Sequence, residues 1–136
     1  GGLGAALIAF LEAEFCMGIK IVMELVQLEE KIKNADLIIT GEGSTDYQTM
    51  FGKVPLGIAK IAAKYNKPVV CISGSLGNGY EELYQEGIEA LFSIVNRPMS
   101  LEEAMSKGEV LLEKVAKNVF KIYLLNPSIQ KSKLSL

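Results

Sequence analysis

Residues 41–53 read Gly-Glu-Gly-Ser-Thr-Asp-Tyr-Gln-Thr-Met-Phe-Gly-Lys, a stretch that gathers two carboxylates, three aliphatic hydroxyls, an amide, a lysine and three glycines. Glu42 and Asp46 are its two carboxylates. Gly41, Gly43 and Gly52 permit positive φ and close approach of the backbone to a ligand, so their amides are placed to line an anion, and Lys53 adds a cation beside it. Ser44, Thr45, Gln48 and Thr49 supply further polar contacts. A second stretch, residues 73–79, has the same character, with Gly74 and Ser75 near its start. Each of these residues also has a purely structural use: Asp46 and Ser44 as turn caps, Lys53 as a solvated surface side chain, the glycines as tight-turn residues.

Two phosphate-binding patterns are excluded by spacing. A P-loop places glycine where this chain has Tyr47, and Ser or Thr where it has Val54. The dinucleotide fingerprint requires a third glycine where Asp46 stands, and Gly74, Gly77 and Gly79 run in the wrong order for it. The chain contains no histidine, which removes the commonest general base and transition-metal ligand. Any chemistry falls to carboxylates, lysines, hydroxyls and backbone. Cys16 and Cys71 stand far apart with no thiol or histidine nearby, so they read as reduced core residues and not as a redox or zinc pair.

The elements that would position these residues follow from periodicity. Residues 3–15 carry apolar side chains at helical spacing, and residues 19–32 continue as further helical turns. Residues 36–40 form a short apolar run, as expected of a strand buried on both faces of a parallel sheet, and the polar segment 41–52 reads as the loop after it. Pro55 suits the first turn of a helix that runs to about Tyr65. The pattern then repeats: a strand at 69–72, a loop at 73–79, a short helix at 80–86 and a third strand at 90–95. Ser100 and Glu103 match a capping box opening one long helix, with a stripe through Leu101, Ala104, Met105, Leu111, Leu112, Val115, Val119 and Tyr123. Strands alternating with helices predict a three-layer α/β unit with a mostly parallel sheet over residues 1–125, followed by a flexible tail at 126–136. Ligands of such sheets bind beyond the carboxyl ends of the strands.

With 136 residues, 49% hydrophobic and 22% charged, the chain has the composition of one folded domain. Its formal charge of -2 is spread without a basic stripe, which argues against nucleic acid as a partner. No apolar run approaches the ~20 residues of a membrane helix, and no signal peptide is evident, so the expected location is the cytoplasm. The opening Gly1-Gly2-Leu3-Gly4 leads straight into an apolar helical pattern, from which an absent upstream portion is expected.

Read together, these segments resemble the class I glycerate kinases. The resemblance rests on residues 35–43 (Ala-Asp-Leu-Ile-Ile-Thr-Gly-Glu-Gly), then Asp46-x-Gln48-Thr49 and Gly52-Lys53-Val54-Pro55. It extends from the opening Gly-Gly-Leu-Gly-Ala-Ala-Leu through residues 68–74 and 87–94, to about Leu125. Many members carry arginine where this chain has Ser44, which shifts the expected cationic role to Lys53 or to upstream residues.

The resemblance implies the C-terminal part of a two-domain enzyme that transfers the γ-phosphoryl group of ATP to D-glycerate, with Mg²⁺ as cofactor. In that reading Asp46 accepts the hydroxyl proton or holds Mg²⁺, Glu42 assists with the metal, and Lys53 balances phosphate charge. Gly41, Gly43, Ser44, Thr45, Gln48, Thr49, Gly74 and Ser75 contact substrate or phosphate. The expected partners are ATP, D-glycerate and the upstream part of the same enzyme, without which the chain is expected to be inactive. An apolar face left uncovered by that part would favour self-association. Two other readings remain open: a non-catalytic nucleotide- or partner-binding module, and a kinase for another small hydroxy acid.

Overall fold

A computed structural model describes Phe10 and residues 18–125. The expected helix at 3–15 (apart from Phe10, which is helical), Cys16 and the expected tail at 126–136 lie outside the described residues. Within them, α1 (Gly18–Leu25) and α2 (Leu28–Lys33) precede β1 (Ile38–Thr45), a 3-10 helix (Tyr47–Phe51) and α3 (Val54–Lys64). Then come β2 (Val69–Leu76), a second 3-10 helix (Tyr80–Glu86), β3 (Ala90–Ser93), α4 (Leu101–Ser106) and α5 (Gly108–Leu124). The strands form one parallel sheet in the order β1-β2-β3. This is the α/β architecture expected from the sequence.

Helices pack on both faces of the sheet, which gives three layers. On one face Ile38, Val69, Cys71 and Leu91 pack with Ile32 of α2 and with Ala59 and Ala62 of α3. On the other, Val70 and Ile72 meet Val119 of α5. The helix α3 forms where expected, with Pro55 in its first turn and Pro55, Leu56, Ala59 and Ala62 buried at helical spacing. It ends at Tyr65, followed by Asn66 in the left-handed region at φ 51°.

Several local expectations are corrected. Strands β1 and β2 run on through residues expected to be loops, pairing from Ile38 with Val69 to Thr45 with Leu76. The cause is mutual: each polar segment finds its backbone partners in the other, which satisfies groups that a loop would leave to water. Among Gly41, Gly43 and Gly52, only Gly52 has a positive φ, 90°. Gly41 is required for a different reason, because a Cβ there would lie 2.2 Å from the Ile72 carbonyl oxygen. At Gly74 the same atom would lie 2.3 Å from the Gly43 carbonyl oxygen, so the adjacent backbones approach too closely for a side chain.

The helical stretch at 19–32 divides at Gln27, which adopts φ 50° and ψ 44°. The short helix at 80–86 is a 3-10 helix, and β3 ends at Ser93, two residues before the expected end. The long helix from residue 101 is interrupted at Lys107, φ −105° and ψ 8°. Ser100 does cap α4, accepting from the Glu103 amide at 3.1 Å, but the Glu103 carboxylate turns to Arg97 and Lys107. Of the expected stripe, Leu111 and Val119 are buried, whereas Leu101 and Met105 are exposed.

Candidate functional site

Because β1 and β2 are parallel neighbours, their carboxyl ends emerge at the same edge of the sheet, and the segments that follow are tied together there. The Gly77 amide donates to the Thr45 carbonyl at 2.8 Å, and the Tyr47 amide donates to the Asn78 carbonyl at 3.0 Å. Ser75 Oγ donates to Ser44 Oγ at 3.0 Å on the exposed side. The two polar segments therefore share one place in the fold, as their sequence positions suggested.

At this edge Glu42, Thr45, Asp46, Thr49 and Lys53 converge. Thr45 Oγ1 donates to Glu42 Oε1 at 2.9 Å, and Thr49 Oγ1 donates to the same oxygen at 2.5 Å. Lys53 Nζ lies 3.8 Å from Glu42 Oε2 and 3.9 Å from Asp46 Oδ1. Asp46 starts the first 3-10 helix: its Oδ1 accepts from the Gln48 amide at 2.8 Å, and its own amide donates to Thr49 Oγ1 at 3.3 Å. The capping use of Asp46 is thus present. Lys53 in turn precedes the first turn of α3, so the ammonium sits beside a helix N-terminus, where partial positive charge also accumulates.

The threonines differ from the other polar residues of the segment. Thr45 and Thr49 are fully buried, whereas Ser44 and Gln48 are exposed. Gln48 directs its side-chain amide to the Tyr47 hydroxyl at 3.3 Å. Behind Thr45 stands Ser73, also buried, with the two hydroxyls 2.5 Å apart and Cys71 Sγ 3.5 Å from Ser73 Oγ. A carboxylate only accepts, so the bonds run in one direction: the Cys71 thiol toward Ser73, Ser73 toward Thr45, and Thr45 to Glu42. Burial pushes the Cys71 thiol above its ordinary value, which keeps it protonated and suits it to donate.

The glycines occupy a different surface. Gly41, Gly43 and Gly74 line a cleft of about 600 Å³ together with Ile39 and, from α5, Gly108 and Leu112. Glu42 borders both this cleft and the carboxylate cluster. A Cβ on Gly43 would meet nothing within 4 Å, so its lack of a side chain leaves backbone open to the cleft and serves no close packing.

A family model described as the glycerate kinase family matches residues 1–124, nearly the whole chain. The chain belongs to the glycerate kinase family. Among curated relatives, it is 52% identical over 119 residues to a glycerate kinase of Halalkalibacterium halodurans, covering 88% of this chain and 31% of that protein. It is 50% identical over 104 residues to a glycerate 2-kinase of Escherichia coli K12, covering 76% of this chain and 27% of the relative. A crystal structure of a candidate glycerate kinase 2 from Salmonella typhimurium LT2 superposes with a TM-score of 0.66 at 40% identity, covering all of this chain and 33% of that one. The chain thus spans about a third of the length of the relatives it matches.

In this glycerate kinase family chain, the residues singled out from the sequence fall into three groups. Glu42, Thr45, Asp46, Thr49 and Lys53 form the buried-to-exposed charge cluster; Gly41, Gly43 and Gly74 line the cleft; Ser44, Gln48 and Ser75 stand at the exposed rim. Ser73 was not singled out for a role. The signal for it was a hydroxyl inside the apolar run of β2, at an alternation position shared with Val69 and Cys71. The cleft wall from α5 carried no local signal, because only the tertiary fold brings Gly108 and Leu112 opposite β1.

Among the described residues no group of three or more acidic, thiol or imidazole side chains gathers as a metal site. Two carboxylates nevertheless fit Mg²⁺, which takes one or two from protein and keeps waters or phosphate oxygens in its remaining positions. Glu42 and Asp46 outnumber the single ammonium between them, and the ion-pair distances are long, so the cluster carries net negative charge suited to a further hard cation. No helix among the described residues is long and apolar enough to cross a membrane.

Proposed function

We propose that this chain supplies part of the active site of an enzyme that transfers the γ-phosphoryl group of ATP to a hydroxyl of D-glycerate, yielding phosphoglycerate in the cytoplasm. The observation that supports this reading is the Glu42–Lys53–Asp46 cluster, placed at the carboxyl ends of parallel strands in a member of the glycerate kinase family. Phosphoryl transfer needs positioning and charge neutralisation more than covalent chemistry, and these residue types provide both.

In the proposed site, Asp46 accepts the proton of the attacking hydroxyl or joins Glu42 in holding Mg²⁺. When bound, the metal neutralises charge on the phosphates. Lys53 gives up its long contacts to the carboxylates and turns to phosphate oxygen. The backbone of Gly41, Gly43 and Gly74 approaches a ligand in the cleft, and the exposed Ser44, Gln48 and Ser75 complete the polar surround. The described residues 18–125 act as one α/β unit, and an upstream part of the same polypeptide completes the cleft and the two-domain enzyme.

The test is ADP release with Mg-ATP and D-glycerate, comparing this chain with the polypeptide extended by its upstream sequence. Glycerate-dependent turnover by the extended protein alone is expected. Saturable ATP binding by both with turnover by neither would overturn the kinase reading in favour of a binding module. Turnover with other hydroxy acids exceeding that with D-glycerate would reassign the substrate.

A further inference from the structure

Thr45 and Thr49 are expected from the sequence to contact substrate or phosphate, yet both are wholly buried and both donate their hydroxyl to a single oxygen, Glu42 Oε1. We propose that Thr45 and Thr49, backed by Ser73, are positioning residues that fix the Glu42 carboxylate and so present its second oxygen to the reacting groups. This rests on the kinase reading for its consequence in turnover, although the geometry it asserts stands apart from that reading.

The case is one of donors and acceptors. A carboxylate free to rotate about its last torsion offers either oxygen to a ligand, because sp³–sp² torsions are broad. Here Oε1 is claimed twice, at 2.9 Å and 2.5 Å, while Oε2 faces Lys53 at 3.8 Å. Charge-assisted bonds of this kind are among the strong ones, and they act in a part-buried setting. Thr49 does more than Thr45, since its Oγ1 also accepts from the Asp46 amide at 3.3 Å. One hydroxyl thereby ties the backbone of one carboxylate residue to the side chain of the other. Thr45 is held in turn by Ser73 at 2.5 Å, so its proton is directed at Glu42. Both positions are β-branched, which restricts χ1 and so narrows the directions in which the hydroxyls point. No buried side-chain polar atom among the described residues is left without a partner, so the network is closed and loses a bond whenever one member is removed.

The experiment uses the extended polypeptide with Thr49→Val, which keeps the shape and removes the hydroxyl, and Thr49→Ser, which keeps the hydroxyl. Each is made in the native and in the Glu42→Gln background. The expected result is a kcat on the order of 10- to 100-fold lower for Thr49→Val, as for other small misplacements of reacting groups, with KM for ATP little changed. Thr49→Ser should stay within about 3-fold of the native protein, and Thr49→Val should cost less than about 2-fold once Glu42 is already Gln. Equal losses in both backgrounds would show that Thr49 acts independently of Glu42 and would overturn the proposal. So would native turnover in Thr49→Val accompanied only by a lower melting temperature. A crystal structure of Thr49→Val decides the point even if no glycerate kinase activity is found: a displaced Glu42 carboxylate supports positioning, and an unmoved one rejects it.

Discussion

On one face of the sheet Val69 and Cys71 are fully enclosed beneath α2 and α3; on the other Ile39 is 48% exposed beside a cleft of about 600 Å³ that α5 only partly roofs. The enclosed face is where hydroxyls and carboxylates reach fixed geometry, because burial forces each polar group to find a partner. The cleft face is where glycine backbone stays approachable. One sheet thus holds its charged groups rigidly from one side and leaves room for a ligand, or for more of the polypeptide, on the other.

The contrast can be broken most strongly by core truncation. Leu83→Ala, on the enclosed side, should cost about 2 to 5 kcal/mol in urea denaturation, since Leu83 is fully buried. Leu112→Ala, at the cleft, should cost less than about 1 kcal/mol, because Leu112 is 46% exposed. Similar losses at both positions would mean that the cleft is closed in solution.

A smaller effect separates the glycines. Gly74→Ala forces a Cβ onto the Gly43 carbonyl and should destabilise by about 1 to 3 kcal/mol. Gly43→Ala meets open space and should leave stability nearly unchanged while weakening ATP or glycerate binding in the extended polypeptide. Wild-type affinity for both ligands in Gly43→Ala would remove that backbone from the proposed site.

The smallest effect concerns thiol reactivity with Cys16 replaced by Ser. Burial raises the Cys71 thiol, so the stability it contributes is fully present below the thiol's ordinary value and is lost as pH rises from that value through the raised one. Cys71 should therefore resist a disulfide reagent at mildly alkaline pH until the chain unfolds, whereas a thiol placed by Ile39→Cys should react at once. Rapid labelling of Cys71 would show that the enclosed face opens locally.

Much of this arrangement was legible in the sequence. The apolar runs at β1 and β2, Pro55 at the start of α3, and the alternation of strands with helices follow from local periodicity. The continuation of both strands through Gly41–Thr45 and Ser73–Leu76 was not legible, since glycine and hydroxyl residues carry loop propensity and only their pairing with each other makes them strand. For the same reason Gly41 and Gly74 looked like turn residues when their use is close approach of two backbones. The polar cluster was visible as a set of residue types, but the division between buried Thr45 and Thr49 and exposed Ser44 and Gln48 depends on a break in the alternation of β1 between Glu42 and Thr45 and on the 3-10 helix after it. The interruption at Lys107 had no proline or glycine at that residue to announce it, although Gly108 follows.

The most direct test of the central claim is steady-state ADP release by the extended polypeptide carrying Asp46→Asn. Asparagine still caps the 3-10 helix, so the substitution removes charge while preserving the local fold. A kcat lower by orders of magnitude, with an unchanged melting temperature, is the predicted result. Turnover close to that of the native protein would contradict the assignment of this cluster to phosphoryl transfer.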